Sequence, residues 1–113
     1  MFTSNFKLSG HDPKAVAISR GVPKWYTGER YISLAPASWQ LVKEKDEAVF
    51  RARFLQQLEQ LDAAFVVSSL DQDAILLCWE APGEFCHRRV VAEWLERETG
   101  LVVPELYLSD PLL

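Results

Sequence analysis

The stretch Ala74–Trp79, "AILLCW", places six apolar residues in a row between the acidic turn Asp71-Gln72-Asp73 and a loop carrying Pro82 and Gly83. A run this short and this continuously apolar is a strand that must be covered on both faces, because a half-solvated strand would alternate with polar residues. Helices have to lie on either side of it. The chain therefore reads as an α/β protein rather than as a bundle or an open antiparallel sheet.

The remaining elements follow from that strand. "AVAIS" at Ala15–Ser19 is a second buried strand that runs into a loop at Arg20-Gly21, and "MFTSN" at the start is a further strand. The loop "RGVPKWYTGERY" carries Gly21, Pro23 and Gly28, which oppose regular structure. From Pro36, Trp39 and Val42, then Phe50, Phe54, Leu55, Leu58 and Leu61, fall near a helical period. That spacing predicts a short helix and a longer one, joined by the charged stretch "KEKDEA", which reads as a solvated face. "DAAFVVSSL" is too short for periodicity to decide between strand and helix. "EFCHRRVVAEWLERETG" predicts a helix with Val90, Val91, Trp94 and Leu95 facing inward and Gly100 as its stop, and "VVPELYL" a last strand. The expected architecture is a small three-layer α/β sandwich with a partly parallel sheet.

At 113 residues the chain is expected to form one domain, 1–113, since dividing it would leave two cores too small to hold. The start of the chain lacks the pattern of a secretory leader, and no apolar run approaches the roughly 20 residues a membrane helix needs. A cytoplasmic protein without a membrane partner is expected. In that setting Cys78 and Cys86, with seven residues between them, read as reduced thiols rather than as a disulfide. A net charge of −4 argues against a surface that coats nucleic acid, although a local basic patch is compatible with it.

Candidate function concentrates in two places. In open α/β sheets ligands gather beyond the carboxyl ends of the strands. That rule sets Ser19, Arg20, Lys24 and Trp25, after the second strand, beside Glu80 and the Cys86-His87-Arg88-Arg89 run that opens the last helix. The expectation is a cationic pocket for a small anionic or phosphorylated ligand, a nucleotide among the options. Arg20, Lys24, Arg88, Arg89 and the helix N-terminus would bind the anion, and Trp25 would stack on the ligand. Two arginines in a first turn oppose the helix dipole, so either glutamates (Glu80, Glu84, Glu93) or a bound anion must balance them.

A thiol at a helix N-terminus beside cations has a lowered pKa, which makes Cys86 the candidate nucleophile, with His87 or Glu80 handling protons. Against this, Cys86 also sits four residues before Val90 and could simply face the core. The phosphatase pattern, a cysteine followed six residues later by an arginine, is absent: Cys78 leads to Glu84 and Cys86 to Ala92. Structural zinc normally uses ligands paired two to four residues apart, so Cys78, Cys86, His87 and His11 predict no metal, and no cofactor motif stands out. Two other accounts stay open. In one, the same arginines and Trp25 grip a single-stranded nucleic acid or a protein partner. In the other, Arg20 and Arg88 satisfy Glu80 in a buried ion-pair network without any ligand.

The segments "AISRGVPKWYTGERYISLAP" and "LLCWEAPGEFCHRRVVAEWLE" together resemble the domain of unknown function 488, an uncharacterised family of bacterial, archaeal and phage proteins. "FTSNF" is similar to its first strand. The resemblance implies a compact α/β domain whose motifs meet in one pocket. The matching positions are Ser19, Arg20, Gly21, Pro23, Lys24, Trp25, Cys78, Glu80, Cys86, His87 and Arg88. The short stretch between Ser4 and Ala15 departs from the family's pattern.

Overall fold

Side chains on the two central strands alternate between two cores. On β4 (Ile75–Cys78), Leu76 enters one core while Ile75 and Leu77 enter the other; on β2 (Ala15–Ala17), Val16 faces the first and Ala15 and Ala17 the second. All of these residues are buried, as the uninterrupted apolar run requires. The computed structural model describes residues 1–81 and 83–106. Its sheet has four strands in the order β1-β4-β2-β3, where β1 is Phe2–Asn5 and β3 is Glu29–Arg30. Every described pairing is parallel, so the sheet is parallel throughout where a partly parallel one was expected.

The larger core lies under α3 (Glu47–Leu58), α4 (Ala63–Ser68) and α5 (His87–Thr99), with Leu41 of the one-turn α2 (Trp39–Val42) at its edge. Phe54, Leu58, Val90, Val91 and Leu95 have no exposed surface there, and Trp94 is 2% exposed. At about 25 cal/mol per Å² of apolar surface removed from water, burial of such side chains contributes roughly 1.5–3 kcal/mol each. The opposite face is covered thinly, by Phe6 of α1 (Phe6–Ser9) and by Tyr26. The Tyr26 hydroxyl donates to the Glu29 carbonyl at 2.6 Å and lies 3.3 Å from that of Ala15, which ties the loop to the sheet. The three layers are thus unequal.

Helix ends follow their caps. Asp46 accepts from the Ala48 and Val49 N–H groups and opens α3, and Asp62 accepts from Phe65 N–H and opens α4. The segment "DAAFVVSSL" is accordingly helical. Gly100 stops α5 with φ +76°, a left-handed conformation that glycine adopts without steric cost. The predicted last strand is reduced to one parallel bridge between Thr3 and Glu105; its Tyr107 and Leu108 lie outside the described residues. Trp39 and Val42 depart from expectation too: both are exposed, at 53% and 40%, and the buried residue of that turn is Leu41. A one-turn helix has room for a single inward residue, and Leu41 takes it. No helix among the described residues is long and apolar enough to cross a membrane.

Candidate functional site

β2 and β4 are adjacent and parallel, so their carboxyl ends open side by side, and α5 begins at the same level. A cleft of about 370 Å³ forms there. Ser19 and Arg20 come from the end of β2, Cys78, Trp79 and Glu80 from the end of β4, and Cys86 and His87 from the start of α5. The indole N–H of Trp79 donates to the Gly21 carbonyl at 3.0 Å and the Ser19 hydroxyl donates to the same oxygen at 2.5 Å, so the two strand ends are tied together. Trp39, Val42, Phe50 and Phe85 complete walls that are mainly aromatic and aliphatic.

The floor is a cluster of sulfur and nitrogen. Cys78 and Cys86 are joined by a disulfide, with their Cα atoms 7.2 Å apart. This corrects the expectation of two reduced thiols: the absence of an export pattern speaks about compartment, whereas the β4–α5 turn brings the two sulfurs together whatever the compartment. Cys86 is the N-cap of α5, and its side chain makes no capping hydrogen bond. The helix therefore starts three residues later than Glu84, with Cys86 at its mouth.

His87 is 9% exposed, and its Nε2 lies 2.5 Å from the Ile18 carbonyl. A carbonyl can only accept, so Nε2 carries the proton and Nδ1 keeps a free lone pair. That lone pair lies 3.3 Å from Cys78 Sγ and 3.8 Å from Cys86 Sγ. Phe54 packs edge-on against the ring and fixes its plane. Burial, with a smaller push from the charge on Arg88, lowers the His87 pKa to about 4 against the favourable bond to Ile18, and the imidazole is neutral at ordinary pH. Glu80 Oε2 stands 2.9 Å from Cys78 Sγ. A disulfide sulfur has no hydrogen to donate, so this contact is one that a reduced Cys78 thiol would satisfy.

Arg88 keeps a buried donor, Nη1, without a partner among the described residues, but the arginine that lines the cleft is Arg20. Its guanidinium lies 5.8 Å from the centre of the Trp39 ring, its closest acceptor is the Pro36 carbonyl at 3.5 Å, and its Nε is buried without a partner among the described residues. Gly21 permits this approach: a Cβ there would stand 3.1 Å from the Trp39 ring.

Four of the expected ligand-binding residues lie elsewhere. Arg88 has no exposed surface; its Nε–H is shared between the two carboxylate oxygens of Glu105, 3.0 Å from each, and its Nη2 donates to the Ala81 carbonyl. Arg89 donates to Thr3 Oγ1 and the Val103 carbonyl, both at 2.8 Å. The charge that balances this first turn is thus internal, but it is Glu105 rather than Glu80, Glu84 or Glu93; Glu93 pairs with Arg51. Trp25 stacks on His11 and packs edge-on against Phe6, on the other face of the sheet, and Lys24 is exposed beside it. Ser19, Arg20, Glu80, Cys86 and His87 do meet in the cleft; Lys24, Trp25, Arg88 and Arg89 do not line it. The geometric reason is that α5 turns its second and third residues toward β1 and the segment after Gly100, away from the strand ends.

Trp39, Trp79 and Phe85 are cleft residues that sequence reasoning missed. Trp79 had a usable signal, since it directly follows the buried strand and so belongs to the strand end where ligands gather. Trp39 had none: in sequence it reads as part of the helical stripe. The family model DUF488-N3a, described as the active DUF488-N3 subclade, matches residues 13–99. The match spans both the Ser19-Arg20 and the Cys86-His87 segments. No curated protein and no solved structure matches the chain.

Proposed function

The chain belongs to the DUF488-N3a family, and from that premise we propose that its cleft binds a small ligand with a flat, apolar body and one anionic group, such as a nucleoside monophosphate. The observation that carries this reading is Arg20: a cation at the lip of an aromatic-walled cleft with a buried donor left unpaired. A buried polar group without a partner costs about 1–3 kcal/mol, and an incoming phosphate or carboxylate oxygen would relieve that cost. Trp79, 55% exposed, and Trp39 offer ring faces for the ligand body. Glu44 and Glu80 also line the cleft, so one anionic group beside Arg20 suits it better than a polyphosphate.

The same cleft is lined by Cys86, His87 and Glu80. In the reduced protein Cys86, at the N-terminus of α5, is the candidate nucleophile; His87 Nδ1 accepts a hydrogen bond and Glu80 takes up a proton. The description of the subclade as active accords with a reactive group of this kind.

Quenching of tryptophan fluorescence by AMP, adenosine and inorganic phosphate tests the proposal. AMP is expected to bind more tightly than adenosine, and Arg20→Ala to weaken AMP by roughly 10–150-fold, the worth of one charge-assisted interaction, with unchanged circular dichroism. Equal affinity of wild type and Arg20→Ala for AMP, or no binding of AMP, would overturn it. Binding confined to oligonucleotides, with a steep salt dependence, would replace it by the nucleic-acid reading.

A further inference from the structure

We infer that, once its disulfide is reduced, the floor of the cleft is a metal site in which Cys78, Cys86 and His87 hold a soft divalent cation of the zinc type with a fourth position open to the cleft. The three potential ligand atoms already lie within 4.8 Å of one another, and all three residues are buried. A tetrahedral zinc with Zn–S near 2.3 Å and Zn–N near 2.05 Å sets N···S at about 3.6 Å and S···S at about 3.8 Å. The two N···S distances here, 3.3 and 3.8 Å, bracket the first value. Only the sulfurs must separate. Their Cα atoms are 7.2 Å apart, wider than the roughly 4.4–6.8 Å usual for a disulfide, so the backbone already has the span that two separate thiolates need.

His87 is oriented as a ligand should be. Its Nε2–H is held by the Ile18 carbonyl, which leaves Nδ1 as the free donor of an electron pair, and metal-bound histidines almost always have such an outer partner on the far nitrogen. The ligand spacing that sequence patterns seek is missing because the ligands come from different elements, one from the end of β4 and two from the start of α5. Cys78, Cys86 and His87 all line the cleft, so a fourth ligand, water or substrate, would enter from the same side. Glu80, which contacts Cys78, stands where it could accept a proton from that water.

The chemistry balances. A dithiol, small or on a protein, supplies two electrons and two protons; the Cys78–Cys86 bond breaks, two thiols form and the donor becomes a disulfide. Binding of the cation then releases two protons, one per thiol, at a pH where both thiols are protonated. A cation held there replaces a free thiolate by a Lewis acid, and so shields both sulfurs from alkylation. The inference does not depend on the ligand proposed above.

Cobalt(II) titration of the full chain under anaerobic conditions, after reduction and removal of the reductant, tests it. The reduced protein should take up one equivalent with thiolate-to-cobalt charge-transfer and tetrahedral d–d bands. Zinc should abolish the bands and slow iodoacetamide alkylation of both cysteines, and the oxidised protein should show no bands. Cys78→Ser should weaken cobalt binding by at least about 100-fold, beyond the 10–100-fold of an outer partner, while Arg20→Ala leaves it unchanged. No charge-transfer band in the folded, reduced wild type at excess cobalt would overturn the inference, as would the same bands at the same affinity from Cys78→Ser.

Discussion

His87 makes the oxidised, metal-free protein acid-sensitive in a calculable way. Its folded pKa is lowered to about 4, mainly by burial, whereas an unfolded histidine titrates near 6.5. Between those values the unfolded chain binds a proton that the folded chain refuses, so stability falls as pH drops through 6.5 and the loss saturates below about 4. The separation of about 2.5 units at 1.36 kcal/mol each gives about 3 kcal/mol of stability lost between pH 7 and pH 4. Carboxylates titrate at the acid end of this window, so the measurement is a difference. Urea unfolding of the wild type and of His87→Gln should be followed with the disulfide intact and EDTA present; the glutamine amide can still donate to the Ile18 carbonyl. The variant is expected to be less stable at pH 7 and to lose about 3 kcal/mol less than the wild type on acidification. Parallel curves would refute the claim that His87 is buried neutral in the native state.

Two further predictions concern packing and charge. Glu105→Gln leaves the fully buried Arg88 guanidinium without its anion and should cost about 3–5 kcal/mol in urea unfolding, whereas replacing both partners by Met and Leu should cost much less. In Gly10→Ala the new Cβ would collide with the Trp25 ring and the Phe6 carbonyl, so a loss of about 1–3 kcal/mol is expected, together with a change in the Trp25 emission.

Local signals were legible where one element decides the outcome. Val90, Val91, Trp94, Leu95 and Gly100 stand as spacing and capping predict, because a helical stripe and its stop are set within a few residues. The Ala74–Trp79 run likewise announced a strand covered on both faces. Glu29–Arg30 was not legible as a strand, since both residues are exposed and only pairing with Val16 and Ala17 extends them. α1 is four residues long and depends on Asn5, whose side chain caps Leu8 N–H, so it left no period to read. The site was legible in part. The strand-end rule located Ser19, Arg20, Glu80 and the Cys86-His87 turn, but the side chains of Arg88 and Arg89 answer to Thr3, Val103 and Glu105, partners at least 14 residues away in the chain. The disulfide was missed because its geometry is tertiary and compartment logic cannot see it.

The pair of Arg88 and Glu105 bears on where the folding unit ends. The family match stops at residue 99, yet a fully buried cation inside it is neutralised by a residue beyond it, and the outer strand β1 lies before residue 13. A chain trimmed to 13–99 would expose the flank of β4 to neighbours and keep a guanidinium sealed in the interior with no counter-charge. The cooperative unit is therefore wider than the stretch by which the family is detected, and its closing segment acts as a clasp that joins the last helix to the first strand.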